Sequence, residues 1–217
     1  GDRGGDSDRE YWTDRRVERV AQRGFELKKR ADRWELKLSM GSLEPPMTEA
    51  GMERFCSWLR VRLAAFREEH GPGPLRRCCG EVDFSSNGLS NQAVWVLLET
   101  LAQYEVHAAC LKLYKNCISQ GGVLAMCEFI RTNRRAGPVH ELHLSHNEID
   151  DESALELLRT LREQRSRYPP RRPMEGAGAA GGATQVPVPV WVRLNQNRIR
   201  DPPAALRLLE SEGRAHG

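Results

Sequence analysis

Apolar and polar positions alternate in short runs along this chain, and each run is followed at a fixed offset by asparagine and one more aliphatic residue. The runs are Val82-Asp-Phe84-Ser-Ser-Asn87-Gly-Leu89, Leu111-Lys-Leu113-Tyr-Lys-Asn116-Cys-Ile118, Leu142-His-Leu144-Ser-His-Asn147-Glu-Ile149 and Val192-Arg-Leu194-Asn-Gln-Asn197-Arg-Ile199. A degenerate copy, Leu36-Lys-Leu38-Ser-Met-Gly41-Ser-Leu43, precedes them with glycine at the asparagine position. Period-two alternation predicts a short strand with one buried face. Each buried aliphatic contributes about 1.5–3 kcal/mol. The asparagine ends the strand, and its amide can both donate to and accept from backbone groups left unpaired by the turn.

Helix-start residues follow: Thr48 after Pro45-Pro46, then Ser90, Ser119, Asp150, and Asp201 before Pro202. Apolar residues then recur at helical spacing, as in Val94, Leu97, Leu98, Leu101, in Val123, Met126, Cys127, Ile130, and in Leu155, Leu158, Leu161. Each unit therefore reads strand, turn, helix. Consecutive strands joined through a helix run parallel. A helix is wider than a strand, which places the strands on the concave side of a curved stack. No unit can bury its apolar face alone, so stacked copies share one core.

These repeats resemble the leucine-rich repeat. Val82 to Leu111 spans 29 residues and Leu111 to Leu142 spans 31, similar to the long, helix-containing ribonuclease-inhibitor-like variety. The resemblance covers about residues 33–212. It implies an α/β fold, a leucine-rich-repeat solenoid (horseshoe) of about five strand-helix repeats with a parallel sheet on the concave face. It also implies that Asn87, Asn116, Asn147 and Asn197 form a structural ladder. Two intervals are stretched, 46 residues from Leu36 to Val82 and 50 from Leu142 to Val192. The first holds a long helix over about 48–70. The second holds an inserted loop, 162–189, whose Gly/Ala run predicts greatest mobility at 174–185. Residues 1–32 read as a charged extension, with Val17, Val20, Ala21 and Phe25 on a capping helix and the first few residues disordered. Residues 213–217 are a tail.

Composition narrows the class. The 217 residues carry a net charge of +3, too little to imply nucleic acid by itself. No run approaches the 18 apolar residues of a membrane span, and no leader-like apolar run stands near the start. Six cysteines contain no Cys-x-x-Cys pair, Cys56 and Cys127 fall at buried helix positions, and Cys79 takes the small apolar position three before Val82. Reduced thiols are expected, favouring an intracellular protein, cytoplasmic or nuclear.

The search for chemistry returns little. His140, His143 and His146 lie on a strand and its turn, where alternation sends His140 to the face opposite His143. There is no phosphate-binding glycine loop, no Gly-x-Ser-x-Gly, and nothing that assembles nucleophile, base and orienter. No enzyme activity, cofactor or metal is expected. The outward strand positions instead form stripes. Asp83, Lys112, Tyr114, Lys115, His143, His146, Trp191, Arg193 and Asn195 are the expected partner-binding residues, with Tyr114, Trp191 and Arg193 of anchor type. The stripe between the aliphatics is read as Lys37, Asp83, Lys112, His143 and Arg193. The leading expectation is a non-catalytic scaffold, monomeric or part of a larger assembly, binding another protein through its concave face. The alternative is RNA binding through Arg159–Arg172, with six arginines against Glu163, plus the Lys112/Lys115/Arg193 stripe.

Overall fold

The computed structural model describes residues 11–31, 33–173 and 185–215. The segments read as a disordered start and as the Gly/Ala core of the inserted loop lie outside these residues. Helix α1 (Asp14–Gly24) leads into strands β1 (Phe25–Arg30) and β2 (Arg33–Ser39). The long helix α2 (Glu49–His70) and the short α3 (Gly73–Arg77) follow, then β3 (Gly80–Asp83), α4 (Asn91–Gln103) and β4 (Ala108–Lys112). Next come α5 (Gln120–Thr132), β5 (Glu141–His143) and α6 (Asp151–Glu163). A small hairpin, β6 (Arg171–Pro173) and β7 (Gln185–Pro187), precedes β8 (Trp191–Arg193) and α7 (Pro202–Ala215).

The expected horseshoe solenoid with an all-parallel sheet is corrected by this topology. The sheet has six strands in the order β1-β2-β3-β4-β5-β8, and its first pair is antiparallel. The remaining pairs are parallel. The fold is a mixed α/β layer pair. β1 lies within the stretch read as an extension, and its sequence, Phe-Glu-Leu-Lys-Lys-Arg, hides it. Only Phe25 and Leu27 are even half-buried, and the rest of the strand is exposed charge. Charged side chains are what an edge strand needs to deter pairing with another chain. Ala31, with φ of 41°, turns the chain into β2, where Phe25 faces Leu38 and Arg30 faces Arg33.

Register also corrects the first copy. Leu38, not Leu36, pairs with Val82, and Met40 donates its N–H to the Asp83 carbonyl just as Phe84 does to Lys112. Leu43 therefore occupies the asparagine position, and Gly41 sits two residues earlier. Helix caps explain the element starts. Thr48, Ser90 and Asp150 accept the N–H of Gly51, Ala93 and Ser153, and Asp201 accepts that of Ala204. Ser119 makes no such bond. Asn91 of the previous unit takes its place, its Oδ1 accepting from Ser119 and Gly122 at 2.9 and 2.8 Å.

The core runs between helices and sheet. Leu36, Leu38, Val82, Phe84, Leu111, Leu113, Leu142 and Leu144 are buried from the strands, with Phe55, Leu59, Leu97, Leu101, Met126 and Leu157 from the helices. Trp12 seals the first end, buried with its indole N–H on the Pro46 carbonyl at 3.0 Å. Cys79 is exposed and Cys78 buried, against expectation, because a bulge between Gly80 and Glu81 shifts the register there.

Candidate protein-binding face

One face of the sheet is covered by helices and the other is open. Strand pairing sets the rows of side chains on the open face. Glu81, Cys110, Glu141 and Trp191 form one row, and Asp83, Lys112, His143 and Arg193 the next. Lys37 belongs to the first of these rows, opposite Glu81, rather than beside Asp83 as expected. Backbone bonds continue the alignment through Ser85, Tyr114, Ser145 and Asn195, because Ser86, Lys115 and His146 donate to the carbonyls of Tyr114, Ser145 and Asn195.

The turn below these rows is held by the asparagines. Asn116 accepts from the N–H groups of Asn87 and Leu89 at 3.2 and 2.9 Å, and donates to the carbonyls of Phe84 and Leu113 at 3.1 and 2.9 Å. Asn147 and Asn197 repeat this, accepting from Ile118 and Ile149 and donating to Leu113 and Leu144. Asn87 reaches Leu43, Met47 and the Met40 carbonyl. Each amide thus ties one unit to the unit before it. The turn forces the preceding residue into the left-handed region, with φ of 53–59° at Ser42, Ser86, Lys115, His146 and Gln196. Lys115 and His146 consequently stand exposed at the rim on a fixed backbone.

The expected partner residues differ in how committed they are. Asp83 Oδ1 accepts from the Ser85 amide and hydroxyl at 3.0 and 2.6 Å. Lys112 Nζ lies 2.9 Å from Glu81, and that hydrogen bond raises the lysine above its ordinary value. His143 Nε2 lies 2.9 Å from Glu141, a bond that holds the carboxyl below its usual range. Trp191 is 59% exposed, opposite Glu141, and Arg193 and Asn195 are exposed beside it. Tyr114, on the β4 unit and separated from Asn195 by Ser145, is half-buried.

Three arginines of the basic stretch Arg159–Arg172 are engaged within the molecule. Arg159 and Arg162 both clasp Glu212 of α7, which drives that carboxyl down to about 2. Arg167 donates to the carbonyls of Ile130, Asn133, Ala136 and Gly137 at 2.9–3.5 Å. Tyr168 is buried, and its hydroxyl accepts the Val139 N–H at 3.0 Å. Arg165 and Arg171 are exposed. The sequence offered no sign of this, since the carbonyls Arg167 meets lie 30–37 residues earlier.

No family model, curated protein or solved structure matches this chain. Among the described residues no helix is long and apolar enough to cross a membrane.

Proposed function

We propose that the protein is a non-catalytic interaction module that binds another protein through the open face of its sheet. The observation that carries this reading is the exposure of Trp191 and Arg193 on β8, with His146 on the adjoining unit and Tyr114 and Lys115 on the unit beyond it, along one asparagine-braced sheet. An aromatic and arginine pair with a cationic rim suits a partner that offers apolar groups among carboxylates. An intracellular setting is part of the proposal, supported by six cysteines that all stand as free thiols. The inward use of Arg159, Arg162 and Arg167 weighs against RNA as the partner.

Affinity capture with the full chain, with and without nuclease, followed by mass spectrometry, identifies what binds. Tyr114→Ala with Arg193→Ala should then weaken capture by more than about 2 kcal/mol, as loss of anchors does. Arg165→Glu with Arg171→Glu should leave it unchanged. The reverse pattern, together with nuclease-sensitive capture, would move the reading to RNA.

A further inference from the structure

We propose that Cys110, Glu141 and His143 form a binding site for a divalent transition-metal ion of zinc type on the open face of the sheet. Their donor atoms, one thiol sulfur, one carboxylate oxygen and one imidazole nitrogen, all lie within 4.8 Å of one another. Glu141 Oε2 is 3.7 Å from Cys110 Sγ and 2.9 Å from His143 Nε2. Zinc bond lengths in a tetrahedron place such donors roughly 3.3–3.8 Å apart. The sulfur–oxygen distance already has this value. The nitrogen–oxygen distance needs to open by about half an ångström, within reach of small side-chain rotations.

The fold supplies this convergence without a local motif. Cys110 on β4 is the direct register partner of Glu141 on β5, and His143 stands two residues further along the same face. The sequence hid the site because Cys110 and Glu141 are 31 residues apart and meet only through parallel pairing. Cys110 is half-buried, whereas Cys79 and Cys117 are exposed and belong to no such donor cluster among the described residues.

The donor set selects the ion. Thiolate and imidazole favour zinc and its neighbours, whereas magnesium and calcium require oxygen. Charge also balances. Glu141 accepts hydrogen bonds from the thiol and the imidazole N–H when no ion is present. An entering divalent ion displaces one proton from the Cys110 sulfur to solvent. His143 gives its Nε2 proton to solvent and takes one at Nδ1, passing to the other neutral tautomer, so that the Nε2 lone pair faces the ion. Thiolate and carboxylate then cancel the two positive charges. Lys112, the ammonium in the adjoining row, is already held by Glu81 at 2.9 Å. Three protein donors leave a fourth position to water.

Cobalt(II) added to the reduced full chain tests the site. A saturable, one-equivalent absorption with a thiolate charge-transfer band, lost on adding zinc(II), is expected. Cys110→Ser should abolish the band. Cys110→Ser and His143→Ala should each weaken zinc(II) binding at least about tenfold, since even outer-shell losses cost that much. Glu141→Gln, an exposed and gentle change, should weaken it too. Cys117→Ser should keep the wild-type titration, and circular dichroism should match across the set. Absence of saturable uptake, a band that survives Cys110→Ser, or a band lost in Cys117→Ser would overturn the proposal.

Discussion

At the scale of single residues, Asn116 concentrates five hydrogen bonds in one amide, two accepted and three donated, at a buried turn. Truncation leaves two N–H groups and three carbonyls without that partner, and buried groups left unpaired are expensive. Asn116→Ala should therefore lower stability by about 1–3 kcal/mol in denaturant unfolding. Asn197 makes the same kind of bonds at a half-buried position where water can replace it, so Asn197→Ala should cost less. Equal costs at the two positions would count against a burial-dependent role. The asparagine spacing was legible in the sequence because it recurs at one offset in four copies. The first copy was misaligned by two residues, because Leu36 and Leu38 are both buried and both fit an alternating strand. Only pairing with Val82 decides between them. The donors of the Cys110 cluster could not be read together, since no spacing rule joins adjacent strands.

At the scale of elements, helix starts were readable from local chemistry, because a cap and its amide are three residues apart. The exception at Ser119 arises from a neighbour, as Asn91 reaches across from the previous unit and bonds two amides and the Ser119 hydroxyl. The segment after α6 was misread for the same reason. The arginines of 159–172 read in sequence as a basic run able to contact RNA, but Arg167 fills the carbonyl-lined end of α5. Arg167→Ala should destabilise the fold by about 1.5–3 kcal/mol, the scale of hydrogen bonds to a charged group. Arg165→Ala, exposed two residues away, should be near neutral in the same thermal melts. A pH effect belongs to this region as well. His107 and His140 pack edge to face with ring centres 5.7 Å apart, and His107 bonds the Pro138 carbonyl. Burial holds both below the ordinary histidine value. The unfolded chain then binds more protons as pH falls below about 6.5, so this contribution is complete above that pH and is lost on acidification through the folded values. The melting temperature should drop between about pH 7 and 5, before most carboxylates titrate. His107→Gln should flatten that drop while keeping a donor for Pro138. An unchanged pH profile in the variant would remove the pair as its source.

At the scale of the whole molecule, stability is distributed unevenly along the sheet. The units from β2 to β5 bury their strand aliphatics almost completely, and each lies between two neighbours. The first end is closed by α1, by Trp12 and by the antiparallel β1, whose charge guards the edge. The other end is different. β8 is an edge strand, Val192, Leu194 and Ile199 are only half-buried, and α7 leaves Leu206 and Leu208 exposed. Polar attachments of this end include pairing of β8 with β5, the Asn197 bonds to the preceding unit, the Asp151 carboxylate accepting from the Arg200 and Asp201 N–H groups, and the clasp of Arg159 and Arg162 on Glu212. Regions with few fully buried apolar contacts open with less free energy than the global transition. Hydrogen exchange should therefore show the amides of Trp191–Arg193 and α7 exchanging well before those of β4 and α5. Glu212→Gln should widen the gap, because it loosens both arginines without touching the core. Asn147→Ala, which weakens the tie between the β4 and β5 units, should by contrast raise exchange in the interior. Uniform protection across all strands, unchanged by Glu212→Gln, would mean that the sheet opens only as one cooperative body and that the half-buried end is held as tightly as the middle.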